Sequence, residues 1–258
     1  MKKDYEMNYY GVSAIMRLKI ELKSKISLHI PFNYNYILSS IIYSKIADLD
    51  LAKKLHLSTS FKYFTFSQIN IQKRMMVKDG FISKNGAIGF QIASPNEHLI
   101  KSLVEGYLED LKVNFKGQDL FVEKIELLPT PKFENKMKFK TISPIIVRTK
   151  KEIDGNLKTW DLNPSDPSFY INLEKNFVKK YNKFYDKEIT SDNIKISSEM
   201  KFVRRKRIAI EKGDIKTYHR AFMIDIAIEG DKDLIEFGYD CGLGEKNSLG
   251  FGMIDLDY

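Results

Sequence analysis

The chain has 258 residues, 43% of them hydrophobic, which excludes global disorder and suits one large domain or two of ordinary size. A single cysteine, Cys241, excludes an intrachain disulfide framework and a cysteine-rich zinc site, and no apolar run approaches the ~20 residues of a membrane span. The net charge of +8 fits a polyanionic partner, and the N-terminus lacks the apolar core of a secretory signal, so a cytoplasmic protein is expected.

The stretch AIMRLKIEL (14–22) alternates apolar and polar residues and predicts a strand, with the residues before Met16 forming an N-terminal extension (1–15). YNYILSSIIYSKIADLDLAKKL (34–55) reads as one helix, started by Pro31 and Asn33 and followed by His56. FKYFTFSQINI (61–71) and GAIGFQIA (86–93) read as strands. Ser94, Pro95 and Glu97 predict a capped helix start, and Leu99, Ile100, Leu103, Val104, Tyr107, Leu108 and Leu111 give that helix its apolar face. DLFVEKIELL (119–128) closes this first unit (16–128) as a strand, and the proline-rich residues 129–136 read as a linker.

A second unit (137–258) repeats the order. MKFKTISPIIVRT (137–149) is a predicted strand, followed by a loop (152–167) with a hairpin turn at Asp154-Gly155. Asp166-Pro167 caps a helix on which Phe169, Leu173, Phe177, Tyr181 and Tyr185 recur every four residues. Two strands follow, turning near Gly213, then a short helix (231–242), a glycine cluster and a final strand (251–258). Each unit therefore reads β-α-β-β-α-β, and the expected fold is α+β with two tandem ferredoxin-like domains.

Two segments carry charge or backbone chemistry. Residues 201–220 hold eight Lys or Arg against two acids. In a strand, Arg204 and Lys206 take one face and Arg205 and Arg207 the other. With Lys201, Lys216 and Arg220 they predict a hairpin that extends from its sheet and tracks the phosphates of a polyanion, which the resemblance given below implies is RNA. The cluster GLGEKNSLGFG (242–252) lies after a helix and before a strand, the reverse of a dinucleotide fingerprint. Its glycines, with Lys246, Asn247 and Ser248, predict a backbone that approaches an anion.

This glycine-rich stretch resembles the C-terminal loop of the repeat-associated RNA-processing superfamily of CRISPR systems, and GEKNSLGFGM is similar to its Cas6 branch, endoribonucleases that cut precursor CRISPR RNA within each repeat. IPFNYNYILSSIIYSKI (30–46), LAKKLH (51–56) and FKYFTFS (61–67) resemble the same branch near its N-terminus. The resemblance implies the fold already read. It also implies an RNA-backbone contact at Gly242, Gly244, Lys246, Asn247, Ser248, Gly250 and Gly252, and a catalytic group of His56, Tyr43 and Lys62. The implied partner is CRISPR repeat RNA, with a homodimer or other subunits of an effector complex left open; no membrane partner, metal site or cofactor is expected.

Such residue types suit metal-independent RNA cleavage. The RNA's own 2′-hydroxyl attacks the adjacent phosphorus, a base takes its proton, and an acid protonates the leaving 5′-oxygen. Imidazole serves either role near neutral pH. A lysine stabilises the charge that develops, and a tyrosine hydroxyl orients or shares a proton. Tyr43 has a second reading as a partly buried helix aromatic, and Lys62 as a solvated charge. The rival to an enzyme is a non-catalytic RNA-binding subunit of the same fold; a small-nucleotide binder leaves the basic hairpin unexplained.

Overall fold

In RLKIELK the period of two puts Leu18, Ile20 and Leu22 on one buried face. In the computed structural model, which describes residues 16–58 and 60–257, this strand is central to the first of two large sheets. The predicted extension at residues 1–15 lies outside the described residues. The first half runs β1 (Arg17–Lys23), β2 (Leu28–Pro31), α1 (Asn35–Ser44), α2 (Leu49–Leu57), β3 (Thr65–Phe66), β4 (Arg74–Val77), β5 (Gly80–Ser83), β6 (Ala87–Ala93), α3 (Glu97–Glu109), β7 (Lys112–Phe115) and β8 (Gln118–Leu127). The second runs β9 (Lys136–Thr141), β10 (Arg148–Ile153), β11 (Asn156–Asp161), α4 (Pro167–Tyr185), β12 (Ile194–Ser197), β13 (Val203–Lys212), β14 (Ile215–Gly230), α5 (Lys232–Cys241) and β15 (Ile254–Leu256).

The sheets have orders β3-β6-β1-β8-β7 and β12-β14-β9-β15. In each, the first strand lies antiparallel between the third and fourth strands of a βαββαβ unit: β1 between β6 and β8, β9 between β14 and β15. The fold is thus two ferredoxin-like domains, each with its own apolar core. No described helix is long and apolar enough to cross a membrane.

Local signals account for much of this. Asp166 accepts from the Ser168 amide and caps α4 with Pro167 in its first turn, as predicted. The β10–β11 hairpin turns at Asp154 and Gly155, both with positive φ. The cap of α3, in contrast, is Asn96, whose side chain accepts from Leu99; the Ser94 hydroxyl instead donates to the Tyr63 carbonyl. The strand expected over 61–71 shrinks to β3, because Tyr63 takes a left-handed conformation (φ 54°) and the chain rejoins the sheet only through a bridge from Asn70 to Gly89. A small sheet, β2-β5-β4, was not expected at all.

The largest correction concerns the helix expected over 34–55. It breaks after Ser44, and α2 starts anew with Asp48 as its cap. Tertiary contacts hold the break. Lys45 is buried and donates to Asp110 and to the Lys112 carbonyl, and the Ala47 amide donates to Ser102. Gly106 of α3 permits this contact, since a β-carbon there would stand 2.2 Å from the Lys45 carbonyl oxygen.

Candidate active site

The break in the helix redirects α2 so that His56 near its end comes next to Tyr43. Tyr43 in the last turn of α1 sits edge-on to Phe64, with ring centroids 5.5 Å apart, and to His56, at 6.3 Å. Tyr43 is half-buried and packs on the core, as its second reading had it. Burial raises its phenol above the ordinary tyrosine value, partly offset by a hydrogen bond with the Ser248 side chain.

His56 is exposed in the final turn of α2, and its ring makes no hydrogen bond among the described residues. The other three histidines each face a carboxylate: His29 with Asp79 at 3.2 Å, His98 with Asp48 at 2.7 Å, and the buried His219 with Asp161 at 3.9 Å. Lys62 is no solvated charge. Its ammonium donates to the Leu55 and Ser58 carbonyls at the end of α2 and lies 3.5 Å from that of His56, which places a cation at the negative end of the helix. Burial lowers its pKa. His56, Tyr43 and Lys62 are therefore brought to one corner.

Of the three, Lys62 lines a cleft between the domains, with a volume of about 620 Å³, together with Tyr63, Asn176, Lys179, Lys183 and residues 244–249; His56 and Tyr43 are not among its lining residues. Lys246 projects from a left-handed position (φ 59°); burial and nearby Arg148 lower its pKa. The acid of the loop, Glu245, accepts from two nitrogens of Arg148 on one carboxylate oxygen, and its charge also acts on Lys246 and Lys180.

The glycines themselves are not exposed to a ligand, contrary to the sequence reading of Gly242, Gly250 and Gly252. All have positive φ, and protein atoms occupy the space a side chain would need: Thr65 and Asn247 at Gly242, the Phe66 ring at Gly250, and the Leu243 carbonyl at Gly252. Gly244 is buried as well, against the Ile146 carbonyl, although it lines the cleft. Glycine is needed here so that the loop can thread between the two domains. The N-terminal domain grips it through Asn35 on the Leu249 carbonyl, Ser39 on the Ser248 carbonyl and Thr65 on the Phe251 carbonyl. The side chain of Asn247 bridges the Leu243 and Phe251 carbonyls.

Lys180 of α4 completes this scaffold. Fully buried, it donates to the Gly242 and Gly244 carbonyls and to Asn247 over 2.5–3.3 Å. Burial pulls its pKa down, while the three acceptors are those an ammonium requires. Sequence reasoning missed this residue, although the signal was present: Lys180 stands three residues after Phe177 and seven after Leu173, on the apolar stripe of α4.

The basic hairpin is only in part as expected. The end of β13 does not extend freely: Ile208, Ala209 and Ile210 are buried, and Ile208 and Ile210 pack with Ile146, Phe251 and, from the N-terminal domain, Tyr36. The Ala209 amide donates to Asn33. Arg204, Lys206 and Arg207 line a second groove of about 720 Å³ together with Phe32, Arg74 and Phe81. Arg205 is exposed; Arg207 stacks on Tyr218 and Arg220 on Trp160. Lys201 and Lys216 are paired with Glu199 and Glu211 at the surface. Among the described residues no group of three or more His, Cys, Asp or Glu is placed to hold a metal ion.

Known proteins are similar to this chain in sequence and fold. Residues 29–126 match the family model described as CRISPR-associated protein Cas6, N-terminal, and residues 128–256 match the one described as Cas6, C-terminal. The CRISPR-associated endoribonuclease Cas6 1 of Methanocaldococcus jannaschii is 43% identical over 93% of this chain and 92% of its own length. The CRISPR-associated endoribonuclease Cas6 of Pyrococcus furiosus is 30% identical over 94% of this chain and 89% of its own. A solved CRISPR associated protein Cas6 superimposes with a TM-score of 0.80 at 41% identity, covering 94% of this chain and 99% of that one.

Proposed function

The chain belongs to the Cas6 family of CRISPR-associated proteins, and on that premise we propose that it is an endoribonuclease that cuts precursor CRISPR RNA within the repeat, without a metal. The observation that carries this reading is His56: an exposed imidazole without a carboxylate partner among the described residues, next to Tyr43 and to Lys62, which itself lines a lysine-rich cleft.

In the proposed reaction the 2′-hydroxyl of the nucleotide before the scissile bond loses its proton to a base and its oxygen bonds to the phosphorus. The bond from phosphorus to the 5′-oxygen breaks, and that oxygen takes a proton from an acid. The products are a 2′,3′-cyclic phosphate and a 5′-hydroxyl. His56 performs one of the two proton transfers. Tyr43 fixes the imidazole plane and brings a hydroxyl, and Lys62 stabilises the charge that builds on the phosphoryl oxygens. Lys246 and the neighbouring loop hold the strand from the opposite wall.

The test is incubation with RNA carrying the host's repeat in excess EDTA. A discrete cut with a cyclic-phosphate end is expected, and a 2′-deoxynucleotide before the scissile bond should abolish it. Binding without any cut would replace the enzyme by an RNA-binding subunit of the same fold, and loss of cleavage in EDTA would remove the metal-free mechanism.

The hairpin arginines contribute affinity rather than chemistry. Replacing Arg204, Arg205 and Arg207 together with glutamine should weaken repeat binding and lower the slope of log affinity against log salt by about 2, at ~0.7 for each single-strand phosphate contact. A salt titration that superimposes on wild type would move the RNA surface away from this hairpin.

A further inference from the structure

Helix α4 carries a row of lysines that the catalytic corner does not use. Lys175, Lys179 and Lys183 are exposed and four residues apart, about 6 Å of rise at each step, and Lys187 follows the helix end. None of the four has an ion pair among the described residues. The helical neighbours of Lys175 and Lys179 do not compensate them; Lys183 has Asp186 three residues on, at the helix C-cap, with no ion pair between the two among the described residues. Three and four residues away from Lys175 and Lys179 there are only Ile171, Asn172, Asn176, Val178, Asn182 and other lysines of the row. Like charges at this spacing destabilise a helix, so the row is a local cost without an internal counterion.

The row is also continuous with the cleft. Lys179 and Lys183 line the cavity shared with Lys62 and the loop at 244–249. The same two lysines, with Lys175, Lys187 and Thr190, line a shallow groove along α4 whose lining among the described residues includes no carboxylate. The turn carrying Lys187 is fixed by Asn182, which exchanges hydrogen bonds with the backbone of Ile189.

We propose that the α4 lysine row is a phosphate track for the single-stranded RNA that continues beyond the segment held in the cleft. This rests on the RNA-processing reading above. The row supplies cations of one sign at regular intervals and no hydrogen-bonding fork, which suits a polyanionic backbone and carries no base information. Its role is to hold and align the flanking strand, which extends the binding site without touching the reacting atoms.

The experiment compares three RNAs, a short one spanning the scissile bond and versions extended by about ten nucleotides on its 5′ or its 3′ side, an extension well beyond the ~12 Å from Lys175 to Lys183. In wild type, one extension is expected to tighten binding. In the Lys175→Gln/Lys187→Gln variant that gain should be lost, and the salt slope for the extended RNA should fall by about 1.4, at ~0.7 for each lost contact. Thermal melting of the variant, expected at or above the wild-type midpoint because the repulsion is relieved, checks that the fold is intact. The proposal is overturned if neither extension tightens wild-type binding, or if the variant keeps the full gain. Either result can occur with repeat cleavage intact, whereas failure of the RNA-processing reading shows as wild type that does not cut the repeat.

Discussion

Replacing His56 with alanine is expected to slow single-turnover cleavage of the repeat by at least ~100-fold, the lower end for a group that transfers a proton in the transition state. RNA affinity and the melting midpoint should stay near wild type. The reason lies in the site's geometry: the ring is exposed and makes no hydrogen bond among the described residues, so its removal opens no cavity and strands no buried partner. A rate and an affinity that fall together would instead mean that His56 only binds RNA. Cutting at the wild-type rate would withdraw it from the chemistry.

The second large effect is expected far from any reacting atom. Lys180→Met keeps the length and much of the volume of the side chain but removes three donated hydrogen bonds, leaving the Gly242 and Gly244 carbonyls and the Asn247 side-chain oxygen short of partners in a buried site. A buried polar group left unsatisfied costs ~1–3 kcal/mol, so about 3 kcal/mol of stability should be lost in chemical denaturation. Function should suffer beyond that loss. Asn247 spans the loop, and Ser248 meets Tyr43, so freeing the loop loosens both the wall of the cleft and the catalytic corner. The control is Leu173→Ala on the same helix, a buried truncation that costs ~2–5 kcal/mol and removes no hydrogen bond from the loop. Measured where all variants are folded, Lys180→Met should lose RNA affinity and rate, and Leu173→Ala should keep both. Equal losses in the two would reduce Lys180 to a purely structural residue.

Glycine chemistry shows how far a local reading reaches. That 242–252 needed left-handed or crowded backbone was legible, because four of its glycines do have positive φ. What crowds them was not legible. The sequence reading took the neighbour to be a phosphate, and the neighbours are Thr65, Phe66, Ile146 and Leu243, brought together by the docking of two domains. The part that faces the cleft is the polar run 244–249, held in place by Lys180 of α4, which the sequence reading did not single out.

Local pattern, then, was sufficient for the elements that hold their own signals. Alternation defined β1, an apolar stripe and the Asp166-Pro167 start defined α4, and the Asp154-Gly155 turn defined its hairpin. The order of these elements determined the doubled ferredoxin-like topology, and the family resemblance implied His56, Tyr43 and Lys62 as the catalytic group. The site itself was decided by tertiary contact. On one continuous helix Tyr43 and His56, thirteen residues apart, would be separated by about 20 Å. They meet at 6.3 Å because the chain breaks between them. The break depends on Lys45 reaching Asp110, Ala47 reaching Ser102 and a glycine at position 106, all on or just beyond α3. Helix propensity is summed over neighbours in sequence and favours continuing through 45–48; these partners lie more than fifty residues away, and only the folded chain brings their contribution to bear.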